Sequence, residues 1–317
     1  MRGIKIPAEP TGGRRVCRAE PCLVIQDNMT RIPNDLNDLT GTEWIKFTRT
    51  WFVCDSPRYW RNKDTELHPA RFPEEMVSEF LQFFTKRGGF VLDPFVGSGA
   101  TLVACSENER IGVGFEVNSD YARVAARRAS TDNLTPQVVV QGDARDINYA
   151  DVWQTGRARL EAFGMTFRRG FPQFDFVITS PPYWSMLGTS RGGVFSKHKQ
   201  RAASGLDTVY SKRSDDLGNI ADYSEFIAAL GEVFDGVRKC VKLGKYMVVV
   251  AQNLRDPDGE IRPLAWDLAR RIGRTWQLQG ERIWCQNTKP LGIWGYPKIF
   301  VPNYHHHYCL IFRKRPK

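Results

Sequence analysis

From residue 90 onward the chain alternates short runs of β-branched and aromatic residues with segments whose apolar positions recur every three to four residues. Phe90-Val91-Leu92-Asp93, Ile111 to Glu116, Gln137 to Gln141 and Phe174 to Thr179 have the length and composition of buried strands. Leu102 to Glu109 and Ser119 to Ala129 lie between them and read as helices. The alternation resumes with a helix over Tyr223 to Val241, where Phe226, Ile227, Leu230, Val233, Phe234 and Val237 supply one apolar face. A strand over Tyr246 to Ala251, a helix over Leu264 to Ile272 and two strands, Gln277 to Trp284 and Tyr308 to Phe312, complete the series. Upstream, Glu74 to Thr85 predicts a further helix, with Pro73 at its first turn and Gly88-Gly89 as its stop. Strands alternating with helices and closed by two consecutive strands predict an α/β fold. Its doubly wound, mostly parallel sheet would carry an antiparallel hairpin at one edge.

In such sheets ligands bind outside the carboxyl ends of the strands, and four of these ends carry unusual residues. After the first, Gly97 and Gly99 let the backbone approach a ligand, and the following helix N-terminus presents unpaired N–H groups. Glu116, at the second, can accept hydrogen bonds from two vicinal hydroxyls such as those of a ribose. Asp143, at the third, can accept from an exocyclic amine. The fourth runs into Ser180-Pro181-Pro182-Tyr183. Two successive prolines stiffen that loop and free its carbonyls to accept, while Tyr183 adds an aromatic face. A planar base with an exocyclic amine suits such a loop; the alternative is a Pro-Pro turn with a core tyrosine. Leu102 stands where a dinucleotide fingerprint wants its third glycine, and no G-K-[ST] follows the glycines, so a nicotinamide site and a P-loop are both disfavoured.

Composition changes this picture in two respects. The 317 residues carry 45 Lys+Arg against 35 Asp+Glu, a net charge of +10 that favours a polyanionic partner. The seven cysteines are odd in number and form no C-x-x-C pair, which predicts reduced thiols in a cytoplasmic setting and no zinc site. No run approaches membrane-spanning length, so no membrane partner is expected.

Asp93-Pro94-Phe95-Val96-Gly97-Ser98-Gly99-Ala100-Thr101 resembles the cofactor loop of the DNA amino-methyltransferases, the N4-cytosine and N6-adenine family, and Ser180-Pro181-Pro182-Tyr183 resembles its catalytic motif. His68 to Pro73 is similar to the segment that covers the cofactor's methionine end, and Tyr308 to Lys314 to the family's last strand. The resemblance covers roughly Trp44 to Lys314 and implies a seven-stranded Rossmann-like methyltransferase sheet. It implies S-adenosylmethionine as cofactor, held by Phe72, Asp93, Pro94, Phe95, Gly97, Gly99, Thr101, Glu116, Val117, Asp143 and Ala144. Ser180, Pro181, Pro182 and Tyr183 would then act on a flipped base in double-stranded DNA. Serine at the head of the motif implies cytosine N4, where Asp or Asn usually goes with adenine N6. The alternatives are an adenine or RNA target, or a binding module without turnover. A restriction endonuclease partner is compatible with the resemblance but indicated by no residue, and nothing points to an oligomeric state. In this chain the cofactor loop precedes the catalytic motif, whereas many family members have the reverse, permuted order. The fold is unaffected, but the target-recognition region is not marked by position.

Three segments remain. Residues 1–40 read as an arm with Arg14, Arg15 and Arg18, preceding a methyltransferase domain over 41–317. Residues 185–222 form a basic, Gly-rich insertion suited to contacting DNA. Residues 286–304 form a second loop, with Trp294, Tyr296, Asn287, Asn303 and Lys289 able to read base edges or fill the gap left by a flipped base; the alternative for the aromatics is core packing against the arm. His305-His306-His307 does not read as a metal cluster, because consecutive strand residues face opposite ways; a solvated or phosphate-facing strand entry is expected there.

Overall fold

The computed structural model describes residues 33–55, 72–130, 135–184, 216–256 and 259–316. Residues 1–33 and 34–317 form separate compact units. Apart from Pro33 the first unit lies outside the described residues, as do His68 to Arg71 and most of the predicted insertion. Residues 34–40, expected in the arm, belong to the second unit: the buried Asn37 donates from its amide to the Phe83 carbonyl at 2.5 Å.

Eight strands form one sheet: β1 (Trp51–Val53), β2 (Phe90–Asp93), β3 (Ile111–Glu116), β4 (Val138–Gln141), β5 (Phe174–Thr179), β6 (Val241–Ala251), β7 (Gln277–Cys285) and β8 (His306–Arg313). Their spatial order is β1-β7-β8-β6-β5-β2-β3-β4. Neighbours from β4 to β6 are parallel. β8 runs antiparallel to both β6 and β7, while β1 is parallel to β7. The doubly wound, mostly parallel class holds, and the antiparallel β7–β8 hairpin lies at one side of the sheet as expected. One correction concerns the count: the sheet has eight strands rather than seven, because Trp51–Val53 adds to β7. Within the hairpin, β8 lies next to β6 and β7 lies beyond it.

Helices α1 (Gly41–Phe47), α2 (Glu74–Phe84), α3 (Ala100–Glu107) and α4 (Ser119–Ala129) precede α5 (Gln154–Ala162), α6 (Tyr223–Lys239) and α7 (Leu264–Ile272). The central strands are apolar on both faces because helices cover both. On β6, Met247, Val249 and Ala251 join the core with α6 and α7, while Val248 and Val250 join the core with α2 and α3. Helix starts follow their local chemistry: Asn118 accepts from the Asp120 and Tyr121 amides, and Asp222 from that of Glu225. α1 was not anticipated, although Thr40 and Glu43 form a reciprocal capping box that its T-x-x-E spacing announces.

The aromatics of α1 and β1 surround a buried cation. Arg282 on β7 is buried, with its guanidinium 4.0 Å from the Phe47 ring centre and 4.4 Å from that of Phe52. It donates to the Arg49 carbonyl at 3.0 Å and reaches Glu79 at 3.3 Å. A buried guanidinium needs such partners, and aromatic faces supply some of them.

Candidate active site

Parallel pairing brings the carboxyl ends of β2, β3, β4 and β5 to one edge, so the four residue groups picked out in the sequence share it. β8, running the other way, delivers its first residues to the same edge: Tyr308 lies opposite Ala251 of β6, and Val249 of β6 opposite Thr179 of β5.

Asp93 is the hinge of this edge. Its Oδ1 accepts from the Phe95 amide at 3.0 Å and from the Thr179 hydroxyl at 2.6 Å, and its Oδ2 accepts from the Thr101 hydroxyl at 2.5 Å. Burial pushes its carboxyl up to about 6, against the pull of those three donors. Asp93 and Thr101 were expected to hold the cofactor. Both are buried and face inward, where they join the start of the glycine loop to the residue before Ser180. Phe72 is likewise packed in the aromatic core beside α2, and Pro94 is buried with Phe95 half-buried beside it.

Beyond Asp93 the chain turns through Gly97 and Gly99, both at positive φ. Gly99 caps α3, and a Cβ on it would lie 2.9 Å from the Ala125 Cα. Its missing side chain therefore serves close packing of α3 against α4 as well as the turn. The loop is braced from outside: Arg128 donates to the Ser98 carbonyl at 2.6 Å and to Glu74 of α2 at 2.5 Å. The buried Ser98 Oγ has no hydrogen-bond partner among the described residues.

Glu116 accepts from the Gly97 amide at 3.0 Å through one oxygen and from the Asn118 amide at 2.9 Å through the other. A carboxylate offers about four lone-pair sites, so each oxygen keeps one for a ligand. Burial, and then the charges of Asp216 and Asp93, push the carboxyl up to about 7. Asp216 is buried and caps the 217–219 turn. It went unnoticed in the sequence because an acid beside a polar insertion carries no distinguishing pattern. Val117 is half-buried beside Glu116, and Ala144 is buried beside Asp143. Asp143 is gripped by Arg145, whose Nε and Nη2 donate to it at 3.0 and 2.6 Å. It also caps the turn that starts at Ala144.

On the fourth strand end, Ser180 Oγ donates weakly to the Tyr183 hydroxyl at 3.3 Å. Pro181 is buried and Pro182 half-buried. Tyr183 is 5% exposed, so its ring is largely covered. Trp184 anchors the loop by donating to the Ile220 and Ala221 carbonyls at 3.1 and 3.2 Å. The structure adds His307, whose ring stacks on Trp284 at 4.6 Å and lies 6.4 Å from that of Tyr183. Burial, then the charges of Lys289 and His306, bring His307 down to about 3, so it stays neutral. The solvated strand entry expected here is therefore corrected: His307 is half-buried with its Nδ1 covered, and the His305 ring lies between the Asn303 and Lys289 carbonyls at 2.9 and 2.8 Å.

Residues 25–127 match the family model of the DNA methylases of N6 and N4 type. Over that stretch the chain is similar to the DNA methylases. The matched stretch contains the glycine loop from Asp93 to Thr101, while the Ser180 loop lies outside it. Among curated proteins, the chain is 35% identical over 100 residues to the type II methyltransferase M2.DpnII of Streptococcus pneumoniae, covering 32% of this chain and 36% of that one. It is 44% identical over 71 residues to the type II methyltransferase M.SmaI of Serratia marcescens, covering 21% and 24%. The match thus spans about a third or less of the length of these relatives. One similar solved structure is the putative DNA modification methylase TTHA0409 of Thermus thermophilus complexed with S-adenosyl-L-methionine. It is 22% identical, with a TM-score of 0.29 over 45% of this chain and 46% of that one.

Proposed function

We propose that the protein transfers a methyl group from S-adenosylmethionine to the exocyclic N4 amine of a cytosine flipped out of duplex DNA. The observation that carries this reading is the Asp93 carboxylate. One buried side chain holds both the glycine loop and the residue before Ser180, so a donor pocket and an acceptor loop are built as one unit.

The residues at the glycine loop fit the cofactor. Glu116 keeps lone pairs for the ribose hydroxyls. The acidic surroundings made by Asp93, Glu116 and Asp216 suit a positively charged ligand. The unpartnered Ser98 Oγ marks a polar site inside the loop. When bound, the cofactor supplies an electrophilic methyl group on a cationic sulfur that leaves as a neutral thioether.

The acceptor side follows from amine chemistry. An exocyclic amine conjugated to a ring is a poor nucleophile because its lone pair is delocalised. The Ser180 hydroxyl proton points to Tyr183, which leaves the Oγ lone pairs to accept an amine hydrogen, and the Pro181 carbonyl can accept the other. Holding both hydrogens pyramidalises the nitrogen and frees its lone pair for in-line attack, after which the surplus proton passes to solvent. Positioning and electrostatic alignment then carry the rate, with no covalent enzyme intermediate. A stacked base cannot reach this enclosed loop, so the target must be extruded. Serine at position 180 supports cytosine, and the +10 net charge supports a polyanionic substrate.

Transfer of tritiated methyl groups from S-adenosylmethionine to duplex DNA, single strands and RNA tests the reading, followed by nucleoside analysis. N4-methylcytosine from duplex DNA is expected. N6-methyladenine would reassign the base, label in RNA alone would reassign the substrate, and no incorporation would leave a binding module.

A further inference from the structure

The amino edge of the sheet, opposite the one that carries Ser180, gathers cations. Val241 pairs with Phe174 and Tyr246 with Phe176, so β6 advances five residues while β5 advances two. The extra residues form a bulge through Gly244 at positive φ, with Leu243 58% exposed. The end of β8 braces it: the Gly244 amide donates to the Lys314 carbonyl at 3.1 Å, and the Lys314 amide to the Lys245 carbonyl at 2.8 Å. Beside it lie the last turn of α6 and the short hairpin that pairs Phe167–Arg168 with Phe171–Pro172, where Lys239 sits 5.4 Å from the Phe171 ring centre.

Backbone carbonyls aim these cations without neutralising them. Arg238 donates to the Thr275 and Arg315 carbonyls at 3.0 and 3.3 Å, and Lys239 to that of Asn148 at 3.2 Å. Arg313 donates to the Gly244 carbonyl at 3.0 Å and Lys314 to that of Val241 at 2.5 Å. Among the described residues none of these four pairs with a carboxylate, nor do Arg168 and Lys245; Asp175 and Asp235 are taken by Lys242 and Arg271, each at 2.8 Å. Like charges crowd as a result. Burial, then the charge of Arg238, holds the Lys314 amine below its ordinary value, and Arg168 adds to the effect.

Basic residues in a last helical turn suit the helix dipole, which accounts for Arg238 and Lys239. It does not account for Arg168, Lys245 and Arg313 on strands, or for Lys314 just beyond one. A cluster of uncompensated cations is stabilised by an anion that carries many charges, and the guanidinium fork favours phosphate. β5 separates this edge from the Ser180 loop by a rise of about 17 Å from Phe174 to Thr179. A duplex laid on the catalytic edge therefore has the sheet between it and these side chains.

We propose that Arg168, Arg238, Lys239, Lys245, Arg313 and Lys314 form a second DNA site, which holds the phosphate backbone of a duplex segment other than the one being methylated. The choice of DNA as the polyanion rests on the methyl-transfer reading above. Phosphate contacts carry no sequence information, so this site tethers the enzyme near its targets without selecting them.

The test combines Arg168→Gln, Lys239→Gln and Arg313→Gln, three exposed charges of the patch, and compares this triple variant with the unmodified protein. A control combines Lys46→Gln, Lys86→Gln and Arg123→Gln, three exposed charges elsewhere. Arg168 makes no side-chain hydrogen bond among the described residues, so Arg168→Gln alone serves should the patch triple unfold. Each protein is loaded on an immobilised duplex and offered a second, fluorescent duplex. The unmodified protein and the control should capture the second duplex, and the patch triple should lose about tenfold or more of that label. In Arg168→Gln the plot of log affinity against log salt for capture should be shallower by about 1. Methyl transfer to a short duplex should be unchanged in every variant. Undiminished capture by the patch triple, or equal losses in both triples, would overturn the site. Methyl transfer that falls in step with capture would also overturn it, by putting these cations on the catalytic track. Capture of anionic phospholipid vesicles but not of the second duplex would overturn it in favour of a lipid surface. If the unmodified protein methylates no nucleic acid yet captures duplex through these residues, the methyl-transfer reading falls and the site stands.

Discussion

The Thr179 hydroxyl donates to Asp93 Oδ1 at 2.6 Å, across 86 positions of sequence. Thr179 is the last residue of β5 and Asp93 the last of β2, so the bond fixes where the Ser180 loop begins relative to the glycine loop. Replacing Asp93 by Ala would leave the Phe95 amide and two buried hydroxyls without an acceptor, costing about 3 kcal/mol in total. Thr179→Val should cost only about 1 kcal/mol in urea unfolding. It should nonetheless lower turnover more than cofactor affinity, because the acceptor loop loses its anchor. Unchanged turnover in Thr179→Val would show that the bond serves stability alone.

Glu116 and Asp93 make the free protein sensitive to pH in a defined direction. Their carboxyls sit at about 7 and about 6, against 4.5 and 3.8 for ordinary ones. Between the ordinary and the raised values the folded state keeps protons that the unfolded chain has released. Stability should therefore fall as pH rises from about 4 to about 7. A cationic cofactor favours the ionised Glu116, so its affinity should rise with pH across the neutral range, with proton release visible by calorimetry in buffers of different ionisation enthalpy. Glu116→Gln should flatten the affinity profile; an unaltered profile would place the titration elsewhere.

Ser180 and Tyr183 call for different substitutions. Ser180→Ala removes only a hydroxyl and should lower turnover about a hundredfold, the scale of one lost polar contact in a transition state. Cofactor affinity, read by calorimetry, should stay within about threefold. Tyr183 is buried, so Tyr183→Ala opens a cavity costing about 3 kcal/mol and confounds folding with catalysis. Tyr183→Phe keeps the packing and removes the partner of the Ser180 hydroxyl. A modest change in turnover with unchanged unfolding is expected of it.

Arg282 is the stability counterpart. With its guanidinium against Phe47 and Phe52, Arg282→Ala should destabilise by about 3 kcal/mol and loosen α1 and β1 first. Hydrogen exchange should show early loss of protection in residues 41–53. Uniform loss across the sheet would contradict a local role.

Much of this architecture was readable in advance. A strand buried on both faces must be apolar throughout, so β2, β3, β5 and β6 announced themselves. Loops that follow such strands carry the residues that leave the core, which is why Gly97, Glu116, Asp143 and Ser180 stood out. β1 did not, because three residues on an edge strand carry no pattern of their own. The 286–304 loop was located, but not that Asn303 and Trp294 brace it. An Asn or Trp that could contact a base can equally brace its own loop, and composition does not say which.

The amino-acid sequence by itself determined the alternation of strands and helices, and with it the edge where chemistry gathers. Periodic burial is a local property, set by which face of each segment must avoid water. Only the tertiary structure decided that Asp93 reaches Thr179, that Arg145 grips Asp143, and that β8 inserts between β6 and β7. Each of those outcomes is a competition among distant groups for one partner. It is settled by geometry that exists only once the sheet has closed around them.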